Sequence, residues 1–229
     1  MTNLEILDKI LLSDNVVDNF YKHYSNKGFN TWLNSILPEI ERCHNQKQDN
    51  PWHIYNCLDH ILHSVEEINK LTKSLSYNTR KMLAYTMFYH DIGKPASYIR
   101  RFSKLYGKEV DSFFNHNVAS REIAKRTLSN FGFDEKTSSI IEQLVYKHDT
   151  FMFITLVDDG NRFHKVLSQK VLEDEIEDFN QYENKYILMK YLIMVGRADN
   201  LAQNPKMTEN SLLLLDKMDE MLKNYNFHL

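Results

Sequence analysis

Chain-breaking residues are scarce in this sequence: six glycines and four prolines are spread over 229 residues. A barrel or sandwich of short strands needs turn residues about every 8–12 positions, and this chain cannot supply them. Long regular elements are favoured instead, and 42% apolar residues against 26% charged ones give each element a face to bury and a face to solvate. The expected class is all-α, with enough chain for one large domain and a sizeable core.

Apolar periodicity supports that class. Leu4, Leu7, Ile10 and Leu11, then Trp32, Ile36, Ile40 and Cys43, recur at helical spacing and predict two or three short helices over residues 1–43. The wholly polar run from His44 to Pro51 reads as a loop and as the one internal boundary. It divides an N-terminal helical extension, 1–49, expected to pack on the main domain, from a helical domain over 50–229. Within that domain, Leu58, Ile61, Leu62, Val65 and Ile68 form a stripe on a helix from Tyr55 to Leu71, with His60 beside it. Thr79–Tyr89 is apolar on several sides, as a buried central helix should be, and Gly93 and Pro95 end it.

Further helices are predicted from His116 to Phe131, from an N-cap at Asp134 to His148, from Tyr182 to Ala202, and from Asn210 to Tyr225. Arg100, Arg101, Phe102, Lys104, Tyr106 and Lys108 make a basic and aromatic run of unassigned structure. Residues 150–180 read as short helices or an irregular lid around the turn signal Asp158-Asp159-Gly160-Asn161.

The formal charge of -3 leaves no global footprint for wrapping nucleic acid or an anionic membrane. The most apolar stretch, Tyr186–Gly196, is interrupted by Lys190 and falls short of the ~20 residues a membrane span requires. Cys43 and Cys57 lack the spacing of a metal or redox pair and are expected to be reduced thiols. With no secretory pattern at Met1–Glu5, the protein is expected to be soluble and cytoplasmic, without a membrane partner. Glycine-rich phosphate loops are absent from the sequence.

Chemistry concentrates in an ordered series: His60, His90-Asp91, His116, His148 and Asp199. Imidazole and carboxylate are ligands for divalent metals, so the series points to a metal site. Adjacent ligands diverge by ~100° on a regular helix. His90 and Asp91 converge most easily where Gly93-Lys94-Pro95 ends the helix, and the two oxygens of Asp91 could there bridge two ions. Lys94 offers a point charge for a phosphate oxygen, or else merely complements the helix C-terminus. Arg101 belongs to the basic run, and Arg197, off the face of Asp199, is placed at the rim. His53, seven residues before His60, is read as capping the loop, the alternative being a place beside the ligands or on the substrate, while His164 and His228 match nothing.

Asp59-His60, His90-Asp91-Ile92-Gly93-Lys94, Asn115-His116-Asn117, Lys147-His148-Asp149 and Arg197-Ala198-Asp199 resemble the successive motifs of the HD-domain superfamily of metal-dependent phosphohydrolases. Asn50–Tyr55 and Arg197–Pro205 are similar in particular to the HD half of bacterial CCA-adding tRNA nucleotidyltransferases, although the nucleotidyltransferase head is missing. The resemblance spans residues 50–205 and implies an HD-domain-like helical bundle. It implies His60, His90, Asp91 and Asp199 as ligands of a single-metal site, with His116 and His148 completing a two-metal site bridged by Asp91, or serving as substrate contact or proton shuttle beside one metal.

Three functions follow from that likeness. The first is a phosphohydrolase using one or two divalent ions (Mn, Fe, Ni, Co, Mg or Zn), with Asp91 and Lys94 catalytic and Lys94, Arg197 and Arg101 on the substrate, which would be a small phosphorylated molecule, a nucleotide or an RNA-related ester. The second is a di-iron HD-type oxygenase. The third is a non-catalytic RNA- or nucleotide-binding helical module.

Overall fold

The computed structural model describes residues 1–225 and 227, and among these the chain forms eleven α-helices with two small two-stranded sheets. The all-α class is borne out. The first four helices are α1 (Asn3–Leu11), α2 (Val16–Tyr24), α3 (Lys27–Ile36) and α4 (Glu39–Asn45). They outnumber the two or three expected because each spans only two or three turns, too short for separate apolar stripes to stand out.

α5 (Cys57–Leu71) and α6 (Tyr77–Tyr89) follow. Every residue of α6 from Met82 to Tyr89 is buried, so this helix is the pillar against which α1, α5 and the later helices pack. Its two buried tyrosines are admissible there because their hydroxyls have partners: Tyr85 donates to Asp8 Oδ1 at 2.7 Å and Tyr89 pairs with Thr127 Oγ1 at 2.7 Å. Asp8 also accepts from Lys81 Nζ at 2.6 Å, which ties α1 to the pillar. Leu7, Leu11 and Phe20 share one continuous apolar core with Leu58, Ile61 and Phe88.

The basic and aromatic run folds as an antiparallel hairpin, β1 (Tyr98–Ser103) and β2 (Lys108–Phe113), with Arg100 opposite Asp111. It leads into α7 (His116–Thr127), whose final predicted turn is a 3-10 turn closed by Gly132 at φ 79°. α8 (Glu135–Lys147) starts where expected, with the Asp134 side chain accepting from Thr137 N at 2.8 Å. Residues 150–180 contain the two-residue strands β3 (Ile154–Thr155) and β4 (Lys165–Val166), then α9 (Gln169–Glu177). α10 (Lys185–Leu201) and α11 (Pro205–Leu222) complete the bundle, α11 beginning at an Asn204 cap with Pro205 in its first turn. α10 packs on α5, α6, α8 and α11. No described helix is long and apolar enough to cross a membrane.

Gly93 sits where two backbones nearly touch. A Cβ there would lie 2.5 Å from both His116 O and Ser120 N, backbone atoms of α7's first turns. Gly93 N also donates to Ser120 Oγ at 2.9 Å, locking the turn after α6 onto α7. Gly196 is confined differently, since a Cβ there would meet the Phe151 ring at 2.6 Å, a side chain rather than backbone. Gly93→Ala should therefore destabilise the fold by about 2–3 kcal/mol, and Gly196→Ala by less, since a side chain yields more easily than backbone. Urea denaturation midpoints measure both; equal losses would show that the backbone approach at Gly93 is not the tighter constraint.

Candidate metal centre

Five helices each deliver a donor to one place. His60 comes from the first turn of α5, His90 and Asp91 from the turn that ends α6, His116 from the start of α7, His148 from the residue after α8, and Asp199 from the last turns of α10. His90 keeps helical backbone angles, φ -54° and ψ -40°, and the chain leaves the helix over the next residues. That is how adjacent side chains come to share a site.

Asn115 prepares His116. It is the one non-glycine residue among those described with positive φ, at 58°. Asparagine tolerates this left-handed region better than most residues, and here it turns β2 into α7 so that His116 Nδ1 reaches Phe113 O at 2.8 Å.

The same device recurs at the other three histidines. His60 Nδ1 lies 3.3 Å from Ala202 O, His90 Nδ1 2.6 Å from Met87 O, and His148 Nδ1 2.7 Å from Val145 O. A carbonyl only accepts, so each Nδ1 carries the proton and each Nε2 presents a lone pair inward when the ring is neutral. Those lone pairs meet: His60 Nε2 and His90 Nε2 are 3.2 Å apart, and His116 Nε2 and His148 Nε2 3.1 Å. Two lone pairs facing at that distance repel unless a proton or a metal ion lies between them.

Asp91 joins the two pairs. Its Oδ2 is 3.1 Å from His60 Nε2 and 3.3 Å from His90 Nε2, while its Oδ1 is 3.1 Å from His116 Nε2 and 3.7 Å from His148 Nε2. Asp199 Oδ1 adds contacts of 3.0 Å to His60 and 3.6 Å to His90. Neighbouring ligand atoms on an ion with bonds near 2.1 Å are separated by about 3.0–3.4 Å, so the spacing suits a metal. Two donor groups result, His60, His90, Asp91 and Asp199 on one side and Asp91, His116 and His148 on the other. This buried cluster could hold a metal ion.

The electrostatics agree. Burial pushes the Asp91 carboxyl up, but Lys94, His90 and the hydrogen bonds of His116 and His148 hold it well below the usual carboxylate range. Asp199 is likewise lowered despite burial, by His60 and His90. Burial pulls the His90 imidazole down, yet Asp91 and Asp199 outweigh it and leave it raised to about 9. His60 and His148 are also raised, the pull of burial being overcome by their carboxylate partners. The carboxylates thus favour a proton on His60, His90 and His148 when no metal is bound.

Lys94 is buried, with Nζ 2.5 Å from Asp91 Oδ2, 2.7 Å from Gln48 Oε1 and 3.3 Å from His53 Nε2. His53 therefore faces the site, in line with the alternative to loop capping that the sequence left open. Burial, then the charge of Lys94, push its imidazole well below the ordinary range. Gln48 escapes a reading of the sequence, because a glutamine in a polar loop carries no spacing signal. The loop that delivers both is anchored to the hairpin, Asp49 N donating to Asp111 Oδ2 at 2.8 Å, and to the start of α11, Asn204 N donating to Trp52 O at 2.8 Å. Cys43 and Cys57 are free and buried, their thiols donating to Ile92 O and Asp91 O at 3.6 Å behind the site.

The two arginines are paired with other groups. Arg101 is exposed on β1, with Nε donating to Ser112 Oγ at 2.8 Å and its guanidinium over the Phe114 ring. Arg197 pairs with Asp216 of α11 at 2.7 Å, the consequence of lying off the face that carries Asp199. His164 pairs with Asp159 in the β3–β4 loop at 2.7 Å, and His228 lies outside the described residues.

Fold and site together define a helical protein with a buried histidine and aspartate cluster that could hold a metal ion. No family model matches the chain, and no curated protein matches it. Because His90 is raised to about 9, the metal-free cluster keeps a proton at about pH 7.5 that a metal must displace. Calorimetric titration with Mn²⁺ in buffers of differing protonation enthalpy should show net proton release there, declining as pH rises past about 9. Binding without proton release would mean that the imidazoles are not the ligands.

Proposed function

We propose that this protein is an HD-type metal-dependent phosphohydrolase whose site takes two divalent ions, one on His60, His90, Asp91 and Asp199 and one on Asp91, His116 and His148. The observation that carries the reading is the division of Asp91, each of whose oxygens faces a different pair of imidazole nitrogens. Divalent ions held there would bring the pKa of a coordinated water toward neutrality and polarise a phosphoryl oxygen.

The chain's own residues fit that chemistry. Four imidazoles contribute no charge when they serve as ligands, so two carboxylates face two divalent ions plus the Lys94 ammonium. The loaded site is strongly net positive inside low-dielectric walls, which selects an anionic substrate. Asp91 holds both donor groups in register, and Lys94, fixed on Asp91 Oδ2, places its charge beside the centre of the cluster. In the reaction a water oxygen bonds to phosphorus, the ester P–O bond breaks, and the leaving oxygen takes up a proton. The substrate class is a phosphomonoester or phosphodiester, a nucleotide or RNA-related ester among them.

Metal analysis followed by a phosphoester panel tests the proposal. Wild type loaded with Mn²⁺, Ni²⁺ or Co²⁺ should hydrolyse at least one class, and Asp91→Ala should lose at least about a hundredfold of that activity. His116→Ala and His148→Ala should each retain a single ion per chain. A protein that hydrolyses nothing, but carries iron and consumes dioxygen, belongs to oxidative chemistry instead.

A further inference from the structure

An ammonium has three N–H groups and accepts nothing, and all three of those on Lys94 are taken, by Asp91 Oδ2 at 2.5 Å, Gln48 Oε1 at 2.7 Å and His53 Nε2 at 3.3 Å. A phosphoryl oxygen therefore finds no free N–H on Lys94 and must take one that a protein atom holds. We propose that His53 is a displaceable place-holder: its Nε2 occupies the seat of a substrate oxygen on Lys94 and leaves it when a phosphoryl group enters. This inference rests on the phosphohydrolase reading and adds the residue that governs how Lys94 meets its substrate.

Three observations single out His53 among the three acceptors. Its contact is the longest, whereas Asp91 is charged and Gln48 is itself held by its Nε2, which donates to Tyr55 O at 3.3 Å. Exposure differs in the same sense, since Asp91 and Gln48 are 2% and 6% exposed whereas His53 is only partly buried. Satisfaction is the third. Because Nε2 accepts from Lys94, the ring proton sits on Nδ1, and that atom is enclosed without any hydrogen-bond partner among the described residues.

A buried donor with no acceptor is unfavourable, so the ring has one unmet hydrogen bond in this seat, where it also packs edge-to-face on His60 with ring centroids 4.9 Å apart, while Gln48 is bonded at both ends. An anionic phosphoryl oxygen is also a stronger acceptor for an ammonium than a neutral imidazole. The backbone beside His53 is pinned through Trp52 O to Asn204 N at 2.8 Å, so the exchange is a rotation of the side chain rather than a movement of the loop.

Inorganic phosphate is the probe, titrated calorimetrically into Mn²⁺-loaded wild type, His53→Phe, Lys94→Met and the double variant, with a melting temperature for each. Phenylalanine keeps a flat ring and removes both the competing acceptor and the unpaired donor. His53→Phe should bind phosphate about fivefold more tightly, without a lower melting temperature, and the gain should vanish in the Lys94→Met background. Unchanged or weaker phosphate binding by His53→Phe overturns the proposal, as does a gain that survives the loss of Lys94, or no binding by either form. Should His53→Phe fail to fold, His53→Ala is read by the same criteria. Phosphoester turnover is assayed separately: its absence in wild type sinks the hydrolase reading, while the phosphate affinities judge His53 on their own.

Discussion

Four imidazoles held by carbonyls at Nδ1 have no choice about where Nε2 points, and much of the molecule is arranged around that constraint. Three of the carbonyls belong to the residue three positions before the histidine, Met87 for His90, Phe113 for His116 and Val145 for His148. Each such contact orients its ring locally, so aiming the lone pairs requires only that the helix ends be brought together. His60 is the exception. It lies within a helix and reaches Ala202 O just past the end of α10, which binds the orientation of one ligand to the position of the helix that carries Asp199.

Bringing helix ends together is what the core does. α6 is buried over its last eight residues and fixes the height at which His90 and Asp91 emerge. Two local features then close the distance to α7: Gly93, with no side chain to hold His116 away, and Asn115, in a backbone conformation that few residues adopt without strain. The apolar interior is thus the reason that carboxylates and imidazoles, which would rather be hydrated, are held a few ångströms apart with little water to screen them.

Much of this was legible in the sequence, for identifiable reasons. The burial of α6 followed from its apolar residues on several sides, α8 from its capping aspartate, and the meeting of His90 with Asp91 from the break at Gly93 and Pro95. The six candidate ligands are brought together by the structure. What could not be read depends on contacts distant in sequence. The hairpin is built from Arg100, Arg101, Phe102 and Lys108, mostly exposed residues without the alternation of a half-buried strand, and Arg100 pairs with Asp49 and Asp111. Gln48 and His53 meet Lys94 across more than forty residues. No periodicity records such a contact.

Lys94 shows why the buried cation here is a lysine. Its Nζ touches Asp91 Oδ2, the same oxygen that faces His60 and His90, so it shares that oxygen with whatever the imidazoles bind. A guanidinium would spread over both carboxylate oxygens in a fork and compete with both donor groups at once. A compact ammonium engages one oxygen and leaves Oδ1 to His116 and His148. It also leaves two N–H groups to be directed by neighbours, and those neighbours, Gln48 and His53, lie on a loop anchored to both the hairpin and the start of α11. The charge beside the cluster is therefore set from outside it, by a segment whose own position depends on two distant elements of the fold.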